Sequence, residues 1–235
     1  MTNNQQLTTD NQQPNFNYTG LHTNPTGLHP EEIGAGGTIW LGRHGEVHNP
    51  GAILYGRLPG FRLGNEGLKQ TTETARFLAN QPLAAAYSSP LLRARQTAQV
   101  YLKYHPTLKL QTSSLLLEVR TQHQGKLLSE LGDFNLYEPK FAAEDEELED
   151  VLFRVLQFFK KALKSHPRQH ILAVSHGDPV IVTHAHFVGL PINLASIRKP
   201  NLYPQTASVT RYDFPPEGFT NDIARVRVSY HHAPY

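Results

Sequence analysis

The chain has 235 residues, 39% of them hydrophobic, and a formal net charge of only +2. This length fits one α/β domain with a tail, and the weak, evenly spread charge lacks the electrostatic footprint of a nucleic-acid-binding protein. The absence of cysteine excludes disulfides, thiolate catalysis and zinc–thiolate sites. No run approaches the roughly 18 apolar residues of a membrane helix. Because the first basic residue is Arg43, we expect no leader peptide and a cytoplasmic location.

The beginning of the chain differs in composition from the rest. Residues 1–35 are rich in Asn, Gln, Thr, Pro and Gly and show no hydrophobic period. Such a segment cannot bury enough apolar surface to offset the conformational entropy that it loses on folding. We therefore predict a disordered tail over residues 1–35 and one folded domain over residues 36–235.

Strand and helix patterns alternate through that domain. The first strand covers residues 38–41, which are β-branched, aromatic and apolar. The later predicted elements are a helix from Gly64 or Asn65, a strand over 83–87, a helix from Ser89-Pro90, a strand over 108–112, a helix over 143–164, a strand over 170–175, a helix to about 188, and strands over 207–214 and 222–230. This alternation favours a largely parallel sheet covered on both faces, a three-layer α/β/α sandwich. The pattern fades over residues 119–143, which indicates an insertion over one end of the sheet.

Two strand-to-helix turns have the same signature. Arg43-His44-Gly45 follows the first strand, and Ser175-His176-Gly177 follows the strand over residues 170–175. Because parallel strands end at one edge of a sheet, where α/β proteins bind their ligands, we expect both imidazoles at the same rim. A neutral imidazole is a competent nucleophile there, and the neighbouring guanidinium suits an anionic substrate. A single histidine in a turn is usually structural, but the pairing favours a functional site.

Two further residues fit a site for an anion. Arg93 lies in the first turn after the predicted Ser89-Pro90 helix start, where helix amides and a guanidinium together can bind an anion. Glu118 ends the apolar run 115–117, where partial desolvation would raise its pKa. Such a carboxyl group can donate a proton to a leaving oxygen and later accept one from water. Each residue alone would more often be an ordinary surface residue.

Taken together, these segments resemble the histidine phosphatase superfamily, which includes the cofactor-dependent phosphoglycerate mutases. The matching segments follow the family's order from residue 38 to about residue 212: Leu41-Gly42-Arg43-His44-Gly45-Glu46, residues 56–63 with Gly67, residues 87–98, Leu117-Glu118 and Val174-Ser175-His176-Gly177-Asp178-Pro179. The resemblance implies a phosphoglycerate mutase-like α/β/α sandwich. It also implies that residues 36–235 are a catalytic domain with an insertion near residues 119–143.

The resemblance assigns roles to individual residues. His44 would be the phosphorylated nucleophile, Glu118 the general acid and base, and His176 their catalytic partner at the transferring phosphoryl group. The residues expected to bind the substrate are Arg43, Asn49, Gly56, Arg93 and Gly177. Two arginines beside His44 would disfavour its protonation and keep it nucleophilic. Since side chains hold the phosphoryl charge, the resemblance implies no metal and no other cofactor.

The residues after Glu118 bear on the choice between hydrolysis and transfer to a second sugar acid. Phosphoglycerate mutases have a basic, tyrosine-containing run there, whereas this chain has Val119-Arg120-Thr121-Gln122-His123, then Gln124-Gly125 in place of the commoner Glu-Gly. We therefore expect a metal-independent phosphomonoester hydrolase that acts on a small phosphorylated metabolite through a phosphohistidine at His44. A phosphoglycerate mutase and a non-catalytic phospho-ligand-binding module stay open as alternative functions. For the oligomeric state, a homodimer stays open. We expect no nucleic-acid or membrane partner.

Overall fold

One mixed sheet forms the centre of the computed structural model, which describes residues 28–131, 143–198 and 202–232. Its strands are β1 (Gly37–Arg43), β2 (Leu83–Ser88), β3 (Leu110–Thr112), β4 (His170–Ser175), β5 (Val209–Phe214) and β6 (Arg227–His231). Their order in the sheet is β3-β2-β4-β1-β5-β6. The first four strands in this order pair in parallel, whereas β5 is antiparallel to β1 and β6 is antiparallel to β5. The prediction of a mostly parallel sheet is confirmed.

The helices alternate with these strands along the chain. They are α1 (Asn65–Leu78), α2 (Leu92–Tyr101), α3 (Leu128–Leu131), α4 (Leu148–Ser165), α5 (Gly177–Phe187) and α6 (Leu194–Ile197). Gly64 caps α1, as the sequence predicts. Within the described ranges, no helix is both long enough and apolar enough to cross a bilayer.

Helices cover both faces of the sheet. On one face, Ala94 of α2 packs with Trp40 of β1 in a buried apolar cluster. On the opposite face, Phe159 of α4 and Phe187 of α5 pack with Ile39, the residue before Trp40. Because consecutive strand residues point to opposite faces, β1 contributes to both cores. The result is the predicted three-layer α/β/α sandwich.

Helix α2 begins later than the sequence predicts. It starts at Leu92 with Leu91 as its N-cap, instead of Ser89 as cap and Pro90 as first residue. The Ser89 hydroxyl accepts a hydrogen bond from the Leu91 backbone N–H at 3.3 Å and lies 2.7 Å from His176 Nε2. Ser89 therefore connects this turn to the second histidine, a contact that a local helix-capping rule does not describe.

Helix α4 also begins later, at Leu148 instead of near residue 143. The Asp150 carboxylate accepts a hydrogen bond from the backbone N–H of Glu147 at 3.0 Å, which caps the helix at Glu147. Acidic side chains at this end complement the helix dipole, as the sequence suggests. The acidic run 144–147 thus mostly precedes the helix instead of forming its first turn.

The predicted tail and the predicted insertion lie only partly within the described residues. Residues 1–27 lie outside the described residues, so the disordered tail stays a prediction there. Pro30–Glu32 form a 3-10 helix, and the backbone N–H of Gly36 donates to the Phe214 carbonyl at 3.1 Å. The chain thus has a regular turn within the segment that the sequence assigns to the tail. Residues 132–142 of the predicted insertion also lie outside the described residues.

The parallel pairing of β1 and β4 positions the two histidine turns. Arg43 and Ser175, the last residues of these strands, are partners in the register. The backbone N–H of His44 then donates to the Ser175 carbonyl at 3.1 Å. Both His-Gly turns therefore leave the sheet side by side at one rim, as the sequence predicts.

Candidate active site

His44 and His176 lie against each other at this rim. Their imidazole rings meet edge to face, with centroids 5.1 Å apart. Both side chains are buried, with exposures of 1% for His44 and 0% for His176. The tyrosine ring of Tyr55 lies on the other side of His44, at a centroid distance of 6.4 Å. This enclosure fixes the plane of the His44 ring.

The hydrogen bonds of His44 define which ring nitrogen carries the proton. Nδ1 lies 2.8 Å from the carbonyl oxygen of Gly45, and the Arg93 Nε–H donates to Nε2 at 3.0 Å. A carbonyl can only accept and a guanidinium can only donate. We therefore assign the hydrogen to Nδ1, which leaves the lone pair on Nε2. This is the tautomer that a nucleophilic imidazole requires.

The surroundings of His44 also keep the ring neutral. Burial holds the pKa of His44 well below its ordinary value, and the positive charges of Arg93 and Arg43 lower it further. The bond to the Gly45 carbonyl acts in the opposite direction but is a smaller effect. The sequence predicts the effect of the two arginines, whereas the larger effect of burial depends on the fold.

Arg93 is held rigidly beside His44. Its side chain is fully buried, its Nη2 donates to the Gly56 carbonyl at 2.8 Å, and its guanidinium carbon lies 4.7 Å from the centre of the Tyr55 ring. Gly56 has a positive φ of 40°, a conformation that favours glycine. The predicted residue Gly56 thus acts on the site through its carbonyl, by fixing Arg93.

Arg43 reaches the same site from the end of β1. Its Nη1 donates to the Pro204 carbonyl at 2.6 Å, and its guanidinium carbon lies 5.1 Å from the centre of the Tyr203 ring. The Tyr203 hydroxyl donates to Asp178 Oδ1 at 3.0 Å. A Cβ atom at Gly177 would collide with that hydroxyl, so any larger residue here would displace the Tyr203 ring. Tyr203 and Asp178 were not predicted as site residues, although Asp178 lies within a matching motif.

Glu118 has the environment of a proton donor. Burial raises the pKa of Glu118 to about 7, the negative charge of Asp178 adds to this effect, and the positive charge of Arg93 opposes it. Glu118 Oε1 also accepts a hydrogen bond from the Val119 backbone N–H at 2.9 Å. The direction of the shift agrees with the sequence prediction. A carboxyl group with this pKa can exchange protons near neutral pH.

Two arginines position the peptide at Glu118. Arg57 Nε and Arg154 Nη2 donate to the Glu118 carbonyl at 2.7 and 3.2 Å. The Glu146 carboxylate lies between the two guanidinium groups and accepts from Arg57 Nη2 at 2.8 Å and Arg154 Nε at 2.9 Å. Glu146 thus offsets the repulsion between two partly buried cations. Sequence reasoning missed this network; its one available signal is that Arg57 lies in the matching segment 56–63.

His176 is oriented by a residue that the sequence assigns to a helix cap. Its Nε2 lies 2.7 Å from Ser89 Oγ, and its Nδ1 has no hydrogen-bond partner among the described residues. Burial holds the pKa of His176 well below its ordinary value, and the charge of Arg93 lowers it further. His176 is therefore a neutral, buried ring packed against His44.

Asn49 is the predicted site residue that the structure does not bring to the site. Its Nδ2 donates to the Ile53 carbonyl at 2.9 Å, and its Oδ1 accepts from the Ile53 backbone N–H at 3.3 Å. These bonds close a local turn in the loop after β1. Asn49 is not among the residues that line the cavity beside His44. Its contact with the phosphoryl group stays a prediction.

A cavity of about 350 Å³ opens beside His44. The predicted residues that line it are Arg43, His44, Gly56, Glu118 and Gly177. Arg93 and His176 are buried against His44 and complete the site from within the protein. The arrangement combines a neutral nucleophile, two guanidinium groups and a carboxyl group able to carry a proton, which together suit phosphoryl transfer.

Several solved structures have the same fold. YhfR of Bacillus stearothermophilus superposes with a TM-score of 0.65 at 20% identity, over 78% of this chain and 98% of that chain. The mycobacterial glucosyl-3-phosphoglycerate phosphatase Rv2419c gives 0.63 at 20% identity, over 83% and 97%. A phosphoglycerate mutase of Bacillus anthracis str. Sterne gives 0.62 at 22% identity, over 80% and 94%. At these identities the likeness shows the fold alone.

Sequence comparison identifies the family. An uncharacterized protein of Mycobacterium tuberculosis H37Rv, Rv0525, is 33% identical over 169 residues, which cover 68% of this chain and 81% of that protein. The family model for branch 1 of the histidine phosphatase superfamily matches residues 39–225. This range contains His44, Arg93, Glu118 and His176. The chain therefore belongs to the histidine phosphatase superfamily, branch 1.

Proposed function

We propose that the protein is a phosphomonoester hydrolase that transfers the phosphoryl group of a small metabolite to His44 and then to water. The observation that carries the proposal is the state of His44. It is neutral, its proton is on Nδ1, its Nε2 lone pair accepts from Arg93, and the residue lines a cavity that Glu118 also lines. A buried histidine in a purely structural role would need neither the two arginines nor a carboxyl group with a raised pKa.

In the first step, the Nε2 lone pair attacks phosphorus as the bond from phosphorus to the ester oxygen breaks. The leaving oxygen takes a proton from Glu118, so the alcohol departs neutral and Glu118 becomes a carboxylate. Arg43 and Arg93 interact with the equatorial oxygens, which carry the charge of the transition state. The Gly45 carbonyl retains the Nδ1 hydrogen and holds the ring in line. His176 supports the attacking ring as a neutral partner packed edge to face against it.

In the second step, the Glu118 carboxylate removes a proton from water as the water oxygen attacks phosphorus. The bond from phosphorus to Nε2 breaks, inorganic phosphate is released, and His44 and Glu118 return to their starting protonation states. One carboxyl group thus serves first as acid and then as base. A pKa near 7 suits both roles.

The residues after Glu118 support hydrolysis over a mutase reaction. Val119 and Thr121 line the cavity, but Arg120, the basic residue of this run, is exposed and is not among the lining residues. Its backbone N–H instead donates to Glu146 at 3.0 Å. A mutase needs cations for the second anionic group of a phosphorylated sugar acid, and this run does not direct one into the cavity.

The proposal is tested by measuring product formation from two esters. With p-nitrophenyl phosphate we expect steady release of inorganic phosphate and, after acid quenching, a protein mass increased by one phosphoryl group. With 3-phosphoglycerate, primed with the bisphosphorylated acid, we expect any phosphate release to exceed formation of 2-phosphoglycerate. Faster interconversion than hydrolysis would establish a mutase. Phosphate binding without turnover of either ester would establish a binding module.

The charge of Asp178 is expected to shift the pH above which kcat/KM falls, which is the basic limb of the pH profile. For an ester with a poor leaving group such as phenyl phosphate, kcat/KM should fall above about pH 7, where Glu118 loses its proton. Asp178→Asn removes a negative charge that raises the pKa of Glu118, so Glu118 ionises at a lower pH and the limb moves to lower pH. The pH dependence of kcat/KM measures this shift.

The control for this experiment is Asp222→Asn. Asp222 is exposed and accepts a hydrogen bond from the Ala224 backbone N–H at 3.2 Å, an interaction that asparagine retains. It should leave the limb unchanged. A limb that moves to higher pH in Asp178→Asn, or does not move, would contradict the proposed coupling between Asp178 and Glu118.

A further inference from the structure

The cavity beside His44 has two chemically different parts. One part is the reacting end, with Arg43, Glu118 and Asp178. The other walls contain Tyr55, Thr121, Arg198 and Tyr203 and a set of aliphatic side chains from separate segments of the chain: Ile53, Leu54, Val119, Leu128, Leu194 and Ile197. A concave site with apolar walls and a few convergent polar groups is typical of a binding site for a small molecule with an apolar portion.

The backbone holds part of this apolar wall in place. The Leu54 N–H donates to the Lys126 carbonyl and the Leu128 N–H donates to the Ala52 carbonyl, both at 2.8 Å. Between them, Ile53 and Leu127 form an antiparallel bridge. The loop after β1 and the start of α3 therefore form one surface.

Leu128 leaves 49% of its surface exposed and still lines the cavity. An exposed leucine alone needs no explanation, but one that extends a continuous apolar wall indicates a surface that a ligand covers. Its neighbour Leu127 is exposed to a similar extent, 43%, and does not line the cavity. The two leucines thus provide a matched pair of positions for mutation, one at the cavity and one outside it.

The acidic side chains of the cavity disfavour a second anionic group close to the ester. Among the described lining residues, the cations are Arg43, at the reacting end, and Arg198. Arg43 is directed to the Pro204 carbonyl and the Tyr203 ring. Glu118 and Asp178 line the same space, so a carboxylate or second phosphate close to the ester would meet two acidic side chains.

We propose that the preferred substrate is a phosphomonoester of an apolar alcohol, whose hydrocarbon part packs against the wall formed by Ile53, Leu54, Val119, Leu128, Leu194 and Ile197. This inference rests on the proposed phosphatase function and adds the chemical class of the alcohol. The size of the cavity, about 350 Å³, falls in the range of sites for small organic ligands. The alcohol is the leaving group, so its burial against the wall acts in the first chemical step.

The test is kcat/KM for a series of n-alkyl phosphates, from ethyl to hexyl. The reactivity of the leaving oxygen is nearly constant along this series, so a trend reports contact with the hydrocarbon chain. We expect kcat/KM to rise by about fourfold for each methylene group that the wall buries. Hexyl phosphate should also exceed glycerol 1-phosphate and glucose 6-phosphate.

The variant Leu128→Ser should make this rise shallower. Leu127→Ser is the control and should retain the wild-type slope. Both substitutions keep the backbone hydrogen bonds of the wall. Calorimetric binding of ethyl- and hexylphosphonate, which are not hydrolysed, gives the same comparison without turnover.

The outcomes separate the two proposals. A flat series, or a preference for glycerol 1-phosphate over hexyl phosphate, together with active hydrolysis of p-nitrophenyl phosphate, would overturn the inference about the alcohol and leave the phosphatase function intact. Failure to hydrolyse any ester, including p-nitrophenyl phosphate, would overturn the phosphatase function. Equal slopes for Leu128→Ser and Leu127→Ser would show that the wall is not the contact surface.

Discussion

His44→Ala should lose at least about 10⁴-fold in kcat with p-nitrophenyl phosphate, the scale expected when a covalent nucleophile is removed. Nε2 of His44 is the atom that forms the bond to phosphorus, and His176 cannot replace it because Ser89 orients that ring through Nε2. The acid-quenched protein should also show no added phosphoryl group. Release of p-nitrophenolate and intact-protein mass spectrometry measure the two effects.

The matched control is His48→Ala. His48 lies in the same loop after β1, but it is exposed and does not line the cavity. It should retain the wild-type rate. The fluorescence of Trp40, the single tryptophan of the chain, reports whether His44→Ala keeps the packing of the sheet. A folded His44→Ala protein with wild-type turnover would exclude the phosphohistidine mechanism.

Glu118→Gln should separate the two chemical steps. For phenyl phosphate, whose leaving oxygen needs a proton, we expect kcat/KM to fall by about 10²–10⁴-fold. For p-nitrophenyl phosphate, whose leaving group departs as an anion, kcat/KM should change by less than about tenfold. Turnover of that ester should still be slow because no base activates water in the second step. The result is a burst of p-nitrophenolate and an accumulated phosphoenzyme, visible by rapid mixing and by mass spectrometry.

Glutamine is a suitable replacement because it has the shape of glutamate and can still accept the hydrogen bond from the Val119 N–H. Glu149→Gln, an exposed position on α4, controls for the loss of one negative charge. If both esters lose activity equally and no phosphoenzyme accumulates, Glu118 is not the proton donor and another group must be sought.

The features that depend on strand order were predictable from the sequence. Two His-Gly turns after buried parallel strands had to lie at one edge of the sheet, and this places His44 beside His176. The raised pKa of Glu118 follows in direction from the apolar run before it. The location of Arg93 near His44 followed from the family resemblance and from its place at a helix start. Each of these signals is local or periodic.

The features that depend on side-chain contacts between distant segments were not predictable. Arg57 and Glu146 form an ion pair at 2.8 Å, but nothing in the surrounding pattern of either residue indicates the other. Tyr203 is likewise joined to the site through Asp178, which lies far from it in sequence. The local turn that Asn49 forms with Ile53 was likewise not predictable, because it is a property of the loop geometry. Such contacts produce no repeating pattern of residues in the sequence from which they could be predicted.

The hydrogen bond from Arg93 to His44 has a consequence for the energetic cost of attack. A nucleophile in water must shed a solvent molecule before it can react; here the lone pair of Nε2 must instead release the Arg93 N–H that it faces. As the bond to phosphorus forms, this N–H can pass from the nitrogen to an incoming phosphoryl oxygen. The number of hydrogen bonds to the guanidinium is then the same before and after the transfer. The new acceptor is reached by a short shift, because the Gly56 carbonyl and the burial of the Arg93 side chain keep this residue at the site.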